Sequence, residues 1–161
     1  MKKIIILLLI IAVPLILAAL YFMNMHYLLC PIEYKDNIII RQDAGGNGFF
    51  AASRNGRRIH EGIDLYAPIR TPVLAARSGR VVAATRNRGM GNYIVIRHSD
   101  GLKTIYGHLT DIFVKKNSYV RQGQIIGSVG KTGNARSNTI LPHLHFELRK
   151  DGIPQDPLTY L

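Results

Sequence analysis

The feature that most constrains this chain is a series of short alternating segments in its second half, each closed by a glycine-bearing turn. Residues 73–76, 80–84, 92–98, 102–108 and 124–129 are short runs rich in β-branched and aromatic residues. Ser78-Gly79, Gly89-Met90-Gly91, Ser99-Asp100-Gly101, Gln122-Gly123 and the stretch from Gly130 to Gly133 separate them. Such runs read as strands, and Asp100-Gly101 between two of them is a strong hairpin signal. No stretch after residue 30 sustains helical periodicity. The expectation is a mostly β domain of antiparallel strands, barrel-like or sandwiched. Residues 43–58, with Ala44-Gly45-Gly46-Asn47-Gly48 and Arg54-Asn55-Gly56-Arg57-Arg58, are too glycine-rich for helix. They form either a disordered insertion or one wall of a binding groove.

The first thirty residues follow a different rule. After Met1-Lys2-Lys3, residues 4–23 carry no charge. Such a run makes about 30 Å of helix, the thickness of a bilayer core. A cleaved secretory signal has a shorter apolar region and a small-x-small exit, which Leu20-Tyr21-Phe22-Met23 does not offer. Residues 1–30 are therefore expected to be an uncleaved signal anchor, a single transmembrane helix that tolerates Pro14 and has Tyr21 and Tyr27 at interface height. Lys2 and Lys3 place the N-terminus in the cytoplasm and the remaining domain outside it, periplasmic or extracellular. Cys30 cannot form an intramolecular disulfide, and Leu29 before it is not the small residue that a lipoprotein signal requires. Residues 31–44 read as a linker or first strand, with Asn37-Ile38-Ile39-Ile40-Arg41 as its apolar run, and residues 45–161 as the functional domain.

Charge narrows the partners. All ten acidic residues and 19 of the 21 basic ones lie after Cys30, which leaves that part at +9. A field of this sign favours anionic partners. The charge is scattered, with no compact run of five or more basic residues, which argues against nucleic acid.

Two stretches carry chemistry. In His143-Leu144-His145-Phe146-Glu147-Leu148 polar and apolar residues alternate, so the run reads as a half-buried strand. The two imidazoles then share one face about 7 Å apart, which suits a metal ligand beside a proton-transfer group. In His60-Glu61-Gly62-Ile63-Asp64, glycine and the following Ala67-Pro68 disfavour helix. A fully extended strand would hold His60 and Asp64 about 13 Å apart, too far for one ion. A bend at Gly62 lets them converge, and a donor from the C-terminal pair completes a two-histidine, one-carboxylate site. Three protein ligands leave the fourth tetrahedral position for water, as in catalytic zinc sites. Spacing does not say which of His143 and His145 binds metal.

These residues resemble the lysostaphin-type (LytM-like) zinc metallopeptidases, the peptidoglycan endopeptidases. The signature H-x-x-x-D, then Y-x-H-L, then H-x-H is matched by His60 to Asp64, Tyr106-Gly107-His108-Leu109 and His143-Leu144-His145. The likeness covers roughly residues 45–161, including Thr71-Pro72-Val73 and Asp156-Pro157-Leu158. It implies antiparallel strands around a narrow groove, zinc held by His60, Asp64 and His145, and a catalytic pair of His143 and His108. His143 would take the water proton and pass it to the leaving amine, and His108, if protonated or donating, would stabilise the oxyanion. The implied activity is zinc-dependent hydrolysis of peptide cross-links in peptidoglycan stem peptides. None of these features specifies an oligomeric state.

One departure concerns residues 132–142, a loop longer than the family's short Ser-Thr-Gly-Pro and without the glycine before Pro142. It bears on cleavage preference. Glu61 is not part of the H-E-x-x-H helix of other zinc peptidases, because position 64 is Asp. His98, at the end of a strand by the hairpin turn, reads as structural. Glu147 falls on the face of His145 and is placed to hydrogen-bond a ligand histidine. An alternative of another class is a non-catalytic wall-binding regulator of other wall hydrolases, from which the complete ligand set distinguishes this chain.

Overall fold

A computed structural model describes the backbone of all residues except Met1, Asn55 and Arg57, and the side chains of these except Lys2, Lys3, Leu7 and residues 21–26. The chain opens with a helix, α1 (Lys2–His26), and continues in strands. These are β1 (Gln42–Asp43), β2 (Gly46–Asn47), β3 (Ser53–Arg54), β4 (Arg58–Ile59), β5 (Ile63–Tyr66), β6 (Pro72–Leu74), β7 (Gly79–Asn87), β8 (Gly91–Arg97), β9 (Leu102–Leu109), β10 (Tyr119–Val120), β11 (Ile125–Ser128), β12 (His143–Lys150) and β13 (Ile153–Gln155). Short 3-10 turns occupy Gly133–Arg136 and Pro157–Thr159.

A seven-stranded sheet runs in the order β10-β7-β8-β9-β12, and β12 pairs along its far edge first with β5 and then with β13. The small ribbons β1-β2, β3-β4 and β6-β11 flank it. All described pairings are antiparallel, in agreement with the turn signals. The expected barrel-like closure is not found. One edge strand, β10, contributes only Tyr119 and Val120, the other edge is divided between β5 and β13, and among the described residues no ladder joins the two edges. The sheet is open.

Alternation places the core. Ile94 and Ile96 of β8, Tyr106 of β9, and Leu144, Phe146 and Leu148 of β12 are fully buried and pack with Ile63, Leu65, Val73 and Ile126. Tyr106 and Phe146 lie with ring centroids 5.4 Å apart. The Tyr106 hydroxyl is satisfied inside the core, accepting from the Ala76 amide and from Thr104 Oγ1 at 2.9 Å each. Burial pushes its pKa up to about 12.

The N-terminal helix stands apart from this core. Every described side chain from residue 4 to residue 20 is exposed. Among the described residues no helix is long and apolar enough to cross a membrane. The longest run of described side chains, residues 8–20, spans only about 20 Å of helix. The Lys2-Lys3 flank, Tyr21 and His26 lie outside the described side chains. Beyond the helix the chain docks on the domain: Leu28 and Ile32 join the core, and the Leu29 amide donates to Ala76 O at 2.8 Å. Residues 39–48 then run along β5. The Tyr66 amide donates to Ile39 O at 2.9 Å, the Arg41 amide to Asp64 O at 2.8 Å, and the Asp64 amide to Gly48 O at 2.8 Å. The described residues of the glycine-rich segment 43–58 thus form a wall of two ribbons, β1-β2 and β3-β4, that lines a groove of about 1260 Å³.

Candidate metal centre

Strand β12 is the spine of the site because β5 and β9 both pair with it. In the β5 ladder His145 stands directly opposite Asp64, and His143 opposite Tyr66. That register puts His145, rather than His143, directly onto the carboxylate. His60 arrives from the end of β4 through a bend at Glu61-Gly62. Gly62 is required there, since a Cβ would collide with the Phe146 carbonyl.

Three donor atoms converge. His60 Nε2 is 3.1 Å from Asp64 Oδ1 and 3.0 Å from His145 Nδ1, and His145 Nδ1 is 2.8 Å from Asp64 Oδ1. Adjacent ligands of a tetrahedral zinc with bonds of about 2.0 Å lie about 3.3 Å apart, so this triangle is close to one face of such a tetrahedron. Two imidazoles and one carboxylate are donors that zinc accepts. The residues fit the ion.

The outer partners of these donors are in place. His60 Nδ1 donates to Phe49 O at 2.9 Å, and His145 Nε2 donates to Glu147 Oε1 at 3.0 Å, which leaves Nε2 of one and Nδ1 of the other directed to the centre. Glu147 Oε2 accepts from Arg149 Nε at 2.8 Å, and Arg149 also pairs with Glu61. The second oxygen of Asp64, Oδ2, accepts from Arg41 Nη2 and Arg54 Nη2 at 2.7 Å each. Arg41 is 3% exposed and is held in turn by Asp43. Sequence reasoning missed both arginines. Arg41 ends the apolar run before the glycine-rich segment and Arg54 lies within it, and only the path of residues 39–54 along β5 brings them to Asp64.

His108 and His143 form a second pair, with ring centroids 4.9 Å apart, and His108 lies 5.8 Å from His145. His143 Nδ1 donates to Leu141 O at 2.7 Å and His108 Nδ1 to Thr132 O at 2.8 Å, so in the neutral rings Nε2 is the acceptor. His108 has φ +62°, the left-handed region that non-glycine residues rarely enter. The conformation is held by its amide, which donates to Met90 O at 2.7 Å.

The two pairs differ in charge. For His145 burial works downward, but hydrogen bonds to Asp64 and Glu147 override it and raise the pKa to about 9. Burial would raise Asp64, yet its hydrogen bonds with His145 and His60 hold it well below the usual carboxylate range. Burial and the neighbouring imidazoles push His108 down to about 3. Burial also dominates at His143, which falls to about 4 despite the opposing field of Asp64. His98 lies outside the groove, where its ring bridges Ser78 O at 2.9 Å and Thr104 Oγ1 at 2.8 Å. It is a satisfied core histidine.

Residues 58–157 match the model of Peptidase family M23. The chain is 42% identical over 102 residues to the DD-carboxypeptidase/endopeptidase Mpg of Neisseria meningitidis serogroup B, a match covering 63% of this chain and 23% of that protein. Among solved structures it resembles that of the SpoIIQ-SpoIIIAH pore forming complex, with TM-score 0.69, 27% identity, and 85% of this chain and 92% of that one covered. It also resembles the catalytic domain of the antimicrobial peptidase lysostaphin from Staphylococcus simulans, with TM-score 0.60, 36% identity, and 74% and 91% covered. Against Mpg the chain spans about a quarter of the relative's length. The match to the family model takes in every residue of the metal centre except Arg41 and Arg54, and on it the chain belongs to Peptidase family M23.

Proposed function

We propose that this protein is a zinc metalloendopeptidase that hydrolyses peptide cross-links of bacterial peptidoglycan. The observation that carries the reading is the triangle of His60 Nε2, Asp64 Oδ1 and His145 Nδ1, with edges of 2.8 to 3.1 Å on the groove floor beside a second, neutral histidine pair. Mpg, a DD-carboxypeptidase/endopeptidase by name, and lysostaphin, an antimicrobial peptidase, support it.

His60, Asp64 and His145 would hold the zinc, which when bound supplies Lewis acidity and a lowered pKa for water. His143 offers the proton acceptor. Leu141 O takes its Nδ1 proton and leaves Nε2 free, 3.8 Å from Asp64 Oδ1, to receive the proton of the attacking water and return it to the leaving amine. For His108 the resemblance implied oxyanion stabilisation only if the ring is protonated or donating. With its Nδ1 proton donated to Thr132 O, the neutral ring has no second proton to offer an oxyanion. It acts first as an acceptor and stabilises the oxyanion only after gaining a proton. Arg41 and Arg54 occupy Asp64 Oδ2, which leaves Oδ1 as the single free donor and holds the carboxylate ionised.

Residues 1–30 would anchor the chain in the cytoplasmic membrane as a single pass, with the catalytic domain outside the cytoplasm. The uniformly exposed apolar side chains of the described part of α1 support this, since nothing in the domain covers them. The basic surface would hold the enzyme on an anionic wall.

Zymography on purified cell wall tests the activity. Clearing by the zinc-loaded protein, abolished by chelator, is expected, and absence of clearing with a full complement of zinc would sink the reading. The second reading, a non-catalytic assembly or regulatory module, is favoured by the likeness to SpoIIQ in its pore-forming complex. Full biological effect from a His60→Ala variant that cannot cut would select it.

A further inference from the structure

The end of the groove beside His108 has a chemistry that the metal centre does not use. The tip of the β7-β8 hairpin carries Arg86 and Arg88, and the 3-10 turn Gly133–Arg136 faces it. Together they enclose a recess of about 450 Å³ lined by Arg86, Asn87, Arg88, Gly133 and Arg136. Asn87 and Arg88 also line the main groove, so recess and groove are continuous.

The recess is built, and it is fastened to the site. The Asn134 amide donates to Gly89 O at 2.8 Å, and the Asn92 amide donates to Thr132 Oγ1 at 2.9 Å. Gly91 and Gly133 approach so closely that a Cβ on either would collide with the other's segment, and both have positive φ, +65° and +64°. The same two segments hold His108, whose amide donates to Met90 O and whose Nδ1 donates to Thr132 O. Whatever docks in the recess is therefore registered against His108.

Arg86, Arg88 and Arg136, all exposed, line the recess together, and across a volume of this size their charges act within about one Debye length, ~8–10 Å. None of the three guanidiniums takes part in an ion pair or hydrogen bond among the described residues, and no carboxylate lines the recess. The arginines beside the metal centre are instead matched to acids, Arg41 and Arg54 to Asp64 and Arg149 to Glu147. Uncompensated like charges held together by a rigid frame suit an anion that completes them, and planar guanidiniums suit carboxylates best.

We propose that Arg86, Arg88 and Arg136 form a subsite for the free carboxylates of a peptidoglycan stem peptide lying in the groove, so that the protein selects acidic stems over amidated ones. The proposal rests on the peptidase reading for the identity of the ligand but not for its measurement. The test is binding of muropeptides by the full chain with chelator present, so that nothing is cut. Stems with free carboxylates are compared with the same stems as carboxamides, for the wild type and for the triple variant Arg86→Gln/Arg88→Gln/Arg136→Gln. The wild type is expected to prefer the free acid by about tenfold, as three partly exposed charge pairs allow, with a preference that weakens as salt rises. The triple variant should bind both forms alike, and its circular dichroism should match the wild type. Equal wild-type affinity for the two forms, or a preference retained by the triple variant, overturns the subsite. Zymography separates the two ideas. Clearing without discrimination leaves the peptidase and removes the subsite, whereas discrimination without clearing leaves the subsite and removes the peptidase.

Discussion

Two histidine pairs share the groove floor at the same ring spacing, 4.9 Å within each, and all four rings are at most 9% exposed. His145 and the second pair nevertheless hold protons oppositely. His145 is raised to about 9, whereas His108 and His143 are lowered to about 3 and about 4. Burial works downward on all three, so the difference comes from the neighbours. His145 lies between two carboxylates, Asp64 and Glu147, while His108 has imidazoles on one side and a backbone carbonyl on the other. A pair set among anions attracts a cation, a proton or a metal ion. A pair in which burial outweighs the one carboxylate near it, Asp64 at 3.8 Å from His143 Nε2, stays neutral and has a lone pair to give. The division of labour is thus written in second neighbours rather than in the histidines.

The hardest way to break this comparison is to remove the anion at its centre. Asp64→Asn keeps the shape and deletes the charge, so zinc affinity is expected to fall by at least about a thousandfold, since one of three ligands is lost. Calorimetric titration of the metal measures it. The variant should also be less stable by about 1.5–3 kcal/mol, because Arg41, nearly fully buried, loses one of its two carboxylate partners and keeps only Asp43. One tightly held zinc per chain in this variant would refute the assignment of Asp64. The complementary change is His143→Ala. It should keep zinc stoichiometry at one while turnover on a cross-linked muropeptide drops by about 10²–10⁴, the usual contribution of a general acid or base. Loss of zinc from His143→Ala would merge the two pairs into one.

A milder change sharpens the comparison. Glu147→Gln preserves a hydrogen bond to His145 Nε2 but removes the second carboxylate, and outer partners of this kind contribute about 10–100-fold in metal affinity. The pKa of His145 in the metal-free protein should fall at the same time, which NMR titration of the ring reads directly.

Much of this was legible in the sequence, and the limits have physical causes. The bend at Gly62 followed from the impossibility of closing 13 Å in an extended strand, and the common face of His143 and His145 followed from the period of two. Glu147 fell on that face for the same reason. The choice between the two histidines was not legible from the strand itself, because it depends on the register between β12 and β5, separated by nearly 80 residues of chain. Arg41 and Arg54 were invisible for a similar reason: an arginine closing an apolar run and another in a glycine-rich segment look solvated until the backbone from residue 39 onward is seen paired along β5. The barrel-like closure failed on strand length, since turn signals count strands but do not say that β10 has two residues to pair. His98, by contrast, was legible as structural from its place at the end of a strand beside the hairpin turn, and its ring bridges the Ser78 carbonyl and Thr104 Oγ1.

The effects of pH accrue unit by unit, and His145 answers them in a different range from the second pair. Zinc must displace a proton from His145, whose pKa without metal is about 9. Below that value each unit of pH is expected to weaken zinc binding by about tenfold, one proton being released per ion. Folding stability of the metal-free protein moves by another route. His108 and His143 are neutral in the fold down to about 3 and about 4 but take up protons near 6.5 when unfolded. As pH falls through 6.5 the unfolded chain binds more protons than the native one, so stability declines by up to about 1.4 kcal/mol per unit for each ring until its native pKa is reached. His98, lowered to about 4, adds to the same slope. His145 opposes nothing there, since its raised pKa stabilises the fold fully below 6.5 and loses that contribution only as pH climbs through about 9. Urea unfolding of the chelated protein between pH 7 and pH 4.5 should therefore show a steady loss, and His143→Asn should reduce its slope by the share of one ring. An unchanged slope would mean that His143 carries its proton in the fold, and the neutral pair would then be as cationic as its neighbour.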